Sequence, residues 1–255
     1  MQPMIPPQEF TLPFIRKTQV SKDASSFFFD RTKFSAKGGP ASGWNFYPGQ
    51  YIRITIPHEN KDERGDGRFF SIASSPLISD EVMITTRIIK SSFKMALSNL
   101  IPGQSVKFFG PIGRFFYDTT ELNPRVFLAG GIGVTPFHSI IDYVYQKKIS
   151  VPITLFASFT THEDFVFYDE LTKIAQEMPS LKIIYTITKP ELSQFQWSGE
   201  TGRITDLMIK KYIPDVSNCI SMSCGPSTML ESMVKLMTDM GVPPQNNRKE
   251  VFTGY

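Results

Sequence analysis

The residues best suited to chemistry are the glycines of RVFLAGGIGVTPFHS, which occupies residues 125–139. The apolar residues 126–128 are typical of a strand that is buried on both faces. Gly130, Gly131 and Gly133 come next, and glycines let the backbone turn tightly and approach a bulky anion. The stretch therefore predicts a strand followed by a loop that binds a phosphate group.

The residues after these glycines predict a helix that starts at the bound anion. Thr135 is the expected N-cap, and Pro136 takes the first helical position, where its missing N–H costs nothing. Apolar residues then recur at helical spacing, namely Ile140, Ile141, Val144 and Tyr145. The free N–H groups at such a helix start suit a dinucleotide pyrophosphate. Because the spacing differs from GxGxxG, a purely structural turn is the alternative on these residues alone.

A second stretch with binding chemistry is RFFS, which places a cation, two aromatic rings and a hydroxyl group side by side. Arg68 can pair with a phosphate in bidentate fashion, and Ser71 can hydrogen-bond a ring nitrogen. Phe69 or Phe70 can stack on a flat heterocycle. Taken alone, the segment is better explained as a strand edge with a solvated arginine and phenylalanines in the core.

A third stretch, KSSFKMAL, predicts a short helix that Ser92 can cap and that carries Lys94 in its first turn. Its free N–H groups offer a second anion site. The alternative is a capped helix that closes one end of a barrel and leaves Lys94 in solvent.

The elements that position these residues differ between the two halves of the chain. Short β-rich runs separated by turn residues fill residues 10–109 and predict an antiparallel β-barrel. Strands and helices alternate after residue 125 and predict a doubly wound parallel sheet. A polar, proline-bearing linker at residues 119–124 separates the halves, so we expect two domains, 8–118 and 124–255. In the second domain, residues 163–178 are a predicted helix, and the terminal RKEVFTGY could be an edge strand.

Ligands of a doubly wound sheet bind beyond the carboxyl ends of its strands. The loops at Gly130, Ser158 and Cys224 should therefore share one crevice. At such a position a cysteine is usually a small buried group, unless the crevice holds chemistry. The segment SFTTHED, which begins at Ser158, contains two acids and no lysine or arginine, which favours NADH over NADPH. Lys189 or Arg203 could still reach this segment from later loops.

Composition excludes several classes of protein. The 27 basic and 24 acidic residues give a net charge of +3, too balanced for a nucleic-acid surface. The two cysteines are too few for a disulfide framework, and together with three scattered histidines they provide no ligand set for zinc or an iron–sulfur cluster. No signal-like start and no run of membrane-spanning length is present in the sequence, so we expect a soluble, cytoplasmic protein.

The ordered motifs PGQY, RFFS, SSFK, GPIGRF, AGGIGVTPF, SCGP and EVF together resemble the ferredoxin–NADP reductase superfamily over residues 10–255. The resemblance implies an FAD-binding barrel, a nicotinamide-nucleotide domain, and an enzyme that passes hydride from NADH or NADPH to FAD. It also implies a redox partner that accepts the electrons, such as a ferredoxin, a flavodoxin or an oxygenase component. The alternative is a flavoprotein subunit of a larger redox complex without turnover of its own. We expect a monomer that inserts into no membrane, with any metal in the electron path held by the partner.

The resemblance also implies roles for individual residues. Ser71 would lie near flavin N5, Cys224 would touch the nicotinamide, and Glu250 would complete the catalytic site. The FAD would contact Arg68, Phe69, Phe70, Ser71, Thr86, Arg87, Ser91, Ser92, Lys94 and Phe252. The nicotinamide nucleotide would contact Gly130, Gly131, Gly133, Thr135, Pro136, Ser158, Cys224, Gly225 and Pro226.

Two positions depart from the family pattern. Phe70 stands where the family commonly has tyrosine, so stacking is kept but a hydroxyl contact is lost. Phe252 matches the aromatic residue that covers the other flavin face, but here three residues follow it, so the cover of the nicotinamide site could differ.

Overall fold

The structure is a computed structural model, and it describes residues 2–36, 44–89 and 91–251. Its first half contains strands and one short α-helix. The strands are β1 (Gln8–Gln19), β2 (Ala24–Asp30), β3 (Ser35–Ala36), β4 (Tyr51–Thr55), β5 (Gly67–Ser71), β6 (Glu81–Arg87) and β7 (Ser105–Ile112), and the helix is α1 (Ser92–Ser98).

These strands form one curled antiparallel sheet in the order β5-β4-β7-β1-β2-β6, with β3 on β1. The long strand β1 pairs with β7 through its first residues and with β2 through its last, and its register shifts between Phe14 and Arg16. Such a shift bends a strand and lets the sheet curl. Past the end of β5, the Ala73 N–H donates to the Met83 carbonyl of β6 at 2.8 Å and joins the two ends of the sheet. The predicted antiparallel barrel is confirmed.

Alternation along the strands fills the barrel with apolar side chains. Ile52 and Ile54 of β4 are fully buried, while their neighbours in the strand are partly exposed. Phe93 and Leu97 of α1 are fully buried in the same core cluster, so α1 closes one end of the barrel. This closure brings the first turn of α1 close to β5 and β6.

The second half alternates strands and helices as predicted. The strands are β8 (Arg125–Gly130), β9 (Ile153–Phe159), β10 (Leu181–Ile187), β11 (Glu200–Thr201), β12 (Ile220–Gly225) and β13 (Asn247–Val251). The helices are α2 (Thr135–Gln146), α3 (Tyr168–Glu177), α4 (Asp206–Tyr212) and α5 (Ser227–Asp239).

These strands form a parallel sheet in the order β11-β10-β9-β8-β12-β13. Every residue of β8 and of β12 is buried, as expected of strands covered on both faces. The strand order reverses between β8 and β12, which is the position where ligands of this architecture bind. The terminal strand β13 is an edge strand, and the doubly wound fold is confirmed.

Two predicted capping residues were wrong. A 3₁₀ turn, Gly131–Val134, runs directly into α2, so Thr135 is already helical and its hydroxyl donates back to the Ile132 carbonyl at 3.0 Å. Ser91, and not Ser92, caps α1, because the Ser91 hydroxyl accepts from the Lys94 N–H.

The helix predicted over residues 163–178 begins five residues late, at Tyr168. The Asp164 carboxylate accepts from the Thr161 N–H and hydroxyl and closes a separate 3₁₀ turn. Phe167 then has a φ of 61°, in the left-handed region, which redirects the chain before the helix starts.

A buried arginine stabilises the segment between the two sheets. Arg125, 1 % exposed, donates to the backbone carbonyls of Asn123, Asp118 and Glu121, and its guanidinium lies 5.0 Å from the centre of the Tyr117 ring. Strand β7 ends at Ile112 and β8 starts at Arg125, and the domain boundary at residues 118–124 stays a prediction.

Replacing Arg125 with alanine leaves three backbone carbonyls without their buried donor, so we expect Arg125→Ala to lower the free energy of unfolding by about 3 kcal/mol. Urea denaturation measures this loss. Arg16→Ala is the control, because Arg16 is 47 % exposed and paired with Glu81 at the surface, and its loss should stay below about 1 kcal/mol. Equal losses in the two variants would contradict the role given to Arg125.

Candidate functional site

The carboxyl ends of β8, β9 and β12 meet at the glycine loop. Gly130 is the register partner of Ser158 on β9, and the neighbouring Ala129 is the partner of Cys224 on β12. A Cβ atom on Gly133 would lie 2.3 Å from the Cys224 carbonyl oxygen, and real Cβ atoms do not approach so closely. The structure therefore brings the three predicted loops together, with the backbone as close as only glycine allows.

The other predicted nucleotide contacts surround this loop. Gly225 has a φ of 156° and packs against the Gly130 backbone, and Pro226 is the exposed residue before α5. Thr135 and Pro136 are buried in the first turn of α2, and the Thr135 hydroxyl donates back to the Ile132 carbonyl of the loop.

The three predicted catalytic residues lie together where the halves of the chain meet. The Ser71 hydroxyl, at the end of β5, donates to Glu250 Oε2 of β13 at 3.3 Å. Glu250 is the register partner of Cys224 on β12. All three residues are buried. A barrel hydroxyl, a carboxyl and a thiol from the sheet therefore share one small volume.

Burial sets the protonation of this group. Desolvation raises the pKa of Glu250 to about 8, although the Ser71 hydrogen bond opposes the shift. Burial, and then the nearby Glu250, raise the pKa of Cys224 well above its ordinary value. At neutral pH the carboxyl therefore holds a proton and the cysteine is a thiol.

A cavity of about 640 Å³ lies beside Glu250. The barrel contributes Tyr51 and Phe69, whose rings meet edge to face at 5.7 Å, and the edge strand contributes Val251. Phe69 is 52 % exposed, so its ring is open to the cavity. The remaining lining residues are Gly113, Arg114, Phe115, Phe116, Asp118, Glu121, Gln245, Arg248 and Lys249. Its size and aromatic walls suit a flat ring system.

Arg68 and Phe70 lie on the opposite face of β5 from Phe69, since side chains alternate along a strand. The Arg68 guanidinium donates to both Asp62 carboxylate oxygens at 2.8 Å and to the carbonyls of Gly65 and Gly67. Phe70 is buried against Phe93 and does not reach the cavity. The ring that the structure leaves accessible is Phe69.

Lys94 provides the clearest anion site of the barrel. Its ammonium contacts the Thr86 hydroxyl and lies 4.9 Å from the centre of the Phe70 ring. Desolvation, followed by the charges of Arg68 and Arg64, lowers the pKa of Lys94 to about 7. Among the described residues no ion pair joins Lys94 to a carboxylate. A phosphate group at this position would relieve the repulsion, so these residues fit the pyrophosphate of FAD.

Arg87 connects the barrel to the glycine loop. Its guanidinium lies 3.3 Å from where a Cβ atom of Gly131 would be, and it faces Asp23 at 3.6 Å. Arg87 was predicted to contact FAD, and the structure places its guanidinium beside the predicted nucleotide loop. Ser91 and Ser92 are partly buried at the start of α1, and Phe252 lies outside the described residues.

Several residues around the site were not predicted individually. Tyr51, Gly113 and Arg114 line the cavity, and they belong to the motifs PGQY and GPIGRF, which were recognised without assigning a role to any residue. Asp62, the partner of Arg68, comes from a polar loop whose sequence carries no signal for this pairing.

Neither a metal site nor a membrane-spanning helix is found in the described part of the chain. Nowhere in it do three His, Cys, Asp or Glu side chains gather as a metal site. None of its helices has the length and apolar character needed to traverse a bilayer.

A curled antiparallel barrel followed by a parallel sheet is the predicted architecture, and this chain shares that fold with solved reductases. A cytochrome P450 reductase from Amycolatopsis superposes with a TM-score of 0.83 at 19 % identity, over 99 % of this chain and 72 % of that one. A ferredoxin–NADP⁺ reductase from Neisseria gonorrhoeae, solved with bound FAD and NADP, gives a TM-score of 0.73 at 18 % identity, over 96 % and 99 %.

Within that fold, residues 127–235 match the family of oxidoreductase NAD-binding domains. One component of the Na⁺-translocating NADH-quinone reductase of Pseudomonas aeruginosa is 29 % identical over 61 % of this chain and 39 % of its own length. The reductase component of the glycine betaine monooxygenase of Chromohalobacter salexigens is 23 % identical over 81 % and 56 %. The chain thus spans less than two thirds of the length of these relatives.

The close approach at Gly133 makes a prediction for nucleotide binding. A methyl group there overlaps the Cys224 carbonyl, and overpacking of this kind costs about 1–3 kcal/mol. We expect Gly133→Ala to weaken NADH binding by about tenfold or more, measured by calorimetry. Gly103→Ala, at a φ of 87° with nothing within 4 Å of the new Cβ, adds backbone strain without a clash and should leave the affinity unchanged. Equal affinities in both variants would contradict the tight approach.

The buried Glu250 predicts how stability depends on pH. The folded chain keeps the carboxyl proton up to about pH 8, whereas the unfolded chain releases it near 4.5, so rising pH destabilises the fold between these values. Glu250→Gln removes this carboxyl group and should flatten the slope of the unfolding free energy against pH by up to about 1.4 kcal/mol per pH unit.

Urea unfolding of the cofactor-free chain between the two pKa values measures that slope. Glu177→Gln is the control, because Glu177 is an exposed carboxylate of α3. Parallel curves for the wild type and Glu250→Gln would show that the carboxyl is not protonated in the folded chain.

Proposed function

We propose that the chain is an FAD-dependent reductase that takes hydride from NADH or NADPH and passes electrons to an acceptor. The observation that carries the proposal is the contact of Ser71, Glu250 and Cys224 at the carboxyl ends of β12 and β13. A glycine loop suited to a dinucleotide packs against Cys224 of this group, and the barrel that supplies Ser71 also carries the partly buried Lys94 beside Thr86 and Phe70. Two cofactor clefts that meet at one polar group suit transfer between two ring systems.

In this proposal the barrel binds FAD and the parallel sheet binds the nicotinamide nucleotide. Lys94 and the start of α1 would hold the FAD phosphates, joined by Arg68 if it exchanges its Asp62 partner for phosphate, and Gly130 to Gly133 would hold the nucleotide pyrophosphate. FAD, when bound, would supply the step from a two-electron hydride donor to electrons for an acceptor. Ser71 and Glu250 orient the ring edges, and the neutral Glu250 holds a proton without adding negative charge to the site.

The loop after β9 favours NADH as the donor. Although desolvation raises the pKa of Glu163, hydrogen bonds from backbone N–H groups and from the hydroxyls of Thr161 and Ser193 lower it to about 2. Asp164 forms an ion pair with Lys22 at 2.9 Å. A permanent carboxylate at Glu163 would repel the 2′-phosphate of NADPH.

The acceptor proposed first is a redox protein such as an oxygenase component, a ferredoxin or a flavodoxin. The similarity to the reductase component of a glycine betaine monooxygenase supports this class. Arg114 and Lys249 are exposed at the rim of the cavity beside Glu250, which gives the rim positive charge toward an acidic partner.

A second candidate is an electron-transfer subunit of a larger redox complex. The similarity to one component of a Na⁺-translocating NADH-quinone reductase supports it, and the aligned region is only 39 % of that protein. Ferricyanide reduction by NADH distinguishes the candidates, because a free-standing reductase turns over alone and a protein of the second kind does not.

The proposal predicts a yellow protein whose flavin absorbance is bleached by NADH without oxygen. Titrating FAD into the cofactor-free chain measures its affinity. Because Lys94 lacks a carboxylate partner among the described residues, we expect Lys94→Ala to weaken FAD binding by about tenfold or more.

Lys17→Ala provides the control, since Lys17 is exposed on the barrel and contacts the Ser98 carbonyl. It should leave FAD affinity unchanged. A colourless chain that cannot be reconstituted with FAD would refute the proposed function.

A further inference from the structure

One helix of the nucleotide-binding half contacts the barrel through a fully buried histidine. His138, on the first turns of α2, places Nδ1 at 2.7 Å from the Ala73 carbonyl oxygen of the barrel half. The next residue, Ser139, donates its hydroxyl to the Ser74 carbonyl at 2.7 Å. These four residues form what we call the interdomain contact. It joins α2, which follows the glycine loop, to the segment two residues beyond Ser71.

The second ring nitrogen of His138 faces a carboxylate. Nε2 lies at an ion-pair distance of 3.1 Å from Glu170 Oε2 of α3, without the alignment of a hydrogen bond. A backbone carbonyl and a carboxylate both accept hydrogen bonds and cannot donate them. A neutral imidazole carries one N–H and would turn a lone pair toward one of these acceptors. Only the doubly protonated ring satisfies both.

The surroundings hold the ring in this orientation. It stacks on Phe167 with a centroid distance of 3.9 Å and an interplanar angle of 29°. Phe167 is the residue whose left-handed backbone starts α3, so the same turn that delays this helix brings Glu170 to the ring.

The charged groups that act on the ring are Glu170 on α3 and Asp142 on α2, while the barrel side contributes the Ala73 carbonyl. Burial lowers the pKa of His138, but the close contact and charge of Glu170, then Ala73 and Asp142, outweigh it and raise the pKa above its ordinary value. The direction agrees with the requirement for two N–H groups.

We propose that His138 is held as an imidazolium and is a positioning residue, whose Nδ1–H fixes the start of α2 against the segment that follows Ser71 while its Nε2–H faces Glu170 of α3. The helix carries the glycine loop, and Ser71 belongs to the catalytic group. The contact therefore sets the separation between the two predicted cofactor clefts. Its effect on hydride transfer rests on the proposed function, whereas its charge does not.

The charge is tested by long-range ¹H–¹⁵N spectra of the full chain labelled at histidine, recorded over about pH 6 to 9. His138→Gln assigns the signals by their loss. We expect both nitrogens of His138 to carry protons at neutral pH. Glu170→Gln keeps an acceptor but removes its charge. In this variant the pKa at which the His138 ring loses one proton should fall by about one unit. A neutral His138 ring in the wild type would overturn the proposal.

The chain offers a matched control for the carboxylate. Glu177 lies on the same helix and accepts from the Tyr145 hydroxyl of α2, so Glu177→Gln makes the same change between the same two helices away from His138. It should leave the titration of the ring unchanged. An equal response to both glutamine variants would also overturn the assignment.

The proposal also fixes the direction in which stability changes with pH. Because the folded pKa of His138 is raised, the contribution of the contact is complete below the ordinary pKa of histidine and is lost as pH rises through the folded value. The stability difference between Glu170→Gln and Glu177→Gln should therefore be largest at low pH. A difference that does not change with pH would contradict a charged ring.

The positioning role has two readouts. In the cofactor-free chain, amide hydrogen exchange at residues 72–74 and 131–139 should be faster in His138→Gln than in wild type. In the FAD-loaded chain, stopped-flow flavin reduction should slow by about tenfold with NADH affinity nearly unchanged, because misplaced rings react slowly. Glu170→Gln should shift the pH profile of this rate in parallel with the ring titration.

Unchanged exchange in His138→Gln would overturn the positioning role, and so would an unchanged rate in a chain that binds FAD. A chain that binds no FAD would refute the proposed function, while the ring titration and amide exchange still decide this inference. Should His138→Gln fail to fold, Glu170→Gln gives the same readouts, because the Glu170 side chain is 56 % exposed.

Discussion

The hydrogen bond between Ser71 and Glu250 is the interaction on which the arrangement of the molecule depends. It joins the last residue of β5 to the edge strand of the parallel sheet, across 179 positions of sequence. Local preferences cannot create such a contact, so both sheets must first form and then pack with their ends aligned. Once aligned, the carboxyl group of Glu250 lies beside Cys224 and the aromatic cavity, and the backbone of Cys224 in turn packs against the glycine loop.

Electrostatics around that carboxyl follow from its burial among protein atoms. A group enclosed by protein keeps the protonation state with the lower charge unless a partner compensates it. Glu250 has only a weak donor in Ser71 and its pKa is raised, whereas Glu163 accepts several hydrogen bonds and its pKa is lowered. His138 is the opposite case, since its carboxylate and carbonyl partners favour the charged form despite complete burial. The three groups thus reach three protonation states through their burial and through the number and type of their partners.

The sequence predicted the features that depend on local periodicity and on backbone freedom. Glycine spacing identified the loop after β8, and alternation of strand and helix identified the parallel sheet, so Gly130, Ser158 and Cys224 could be placed at one edge before any coordinates. The family resemblance drawn from the ordered motifs placed Ser71 and Glu250 in one site. It could not tell which ring of RFFS faces outward, because that depends on α1 covering Phe70. His138 gave no signal at all, since its barrel partner lies 65 residues away and is a backbone atom.

The crowding of like charges at Arg64, Arg68 and Lys94 has a consequence for the life of the protein in a cell. Asp62 pairs with both arginines, so Lys94 is the group that a bound phosphate would compensate, and such binding ties folding free energy to the concentration of the ligand. Newly made chains would accordingly reach full durability only after loading, and scarcity of the vitamin-derived cofactor would leave a population exposed to proteolysis. The rate at which the chain is degraded would then depend on the supply of that cofactor.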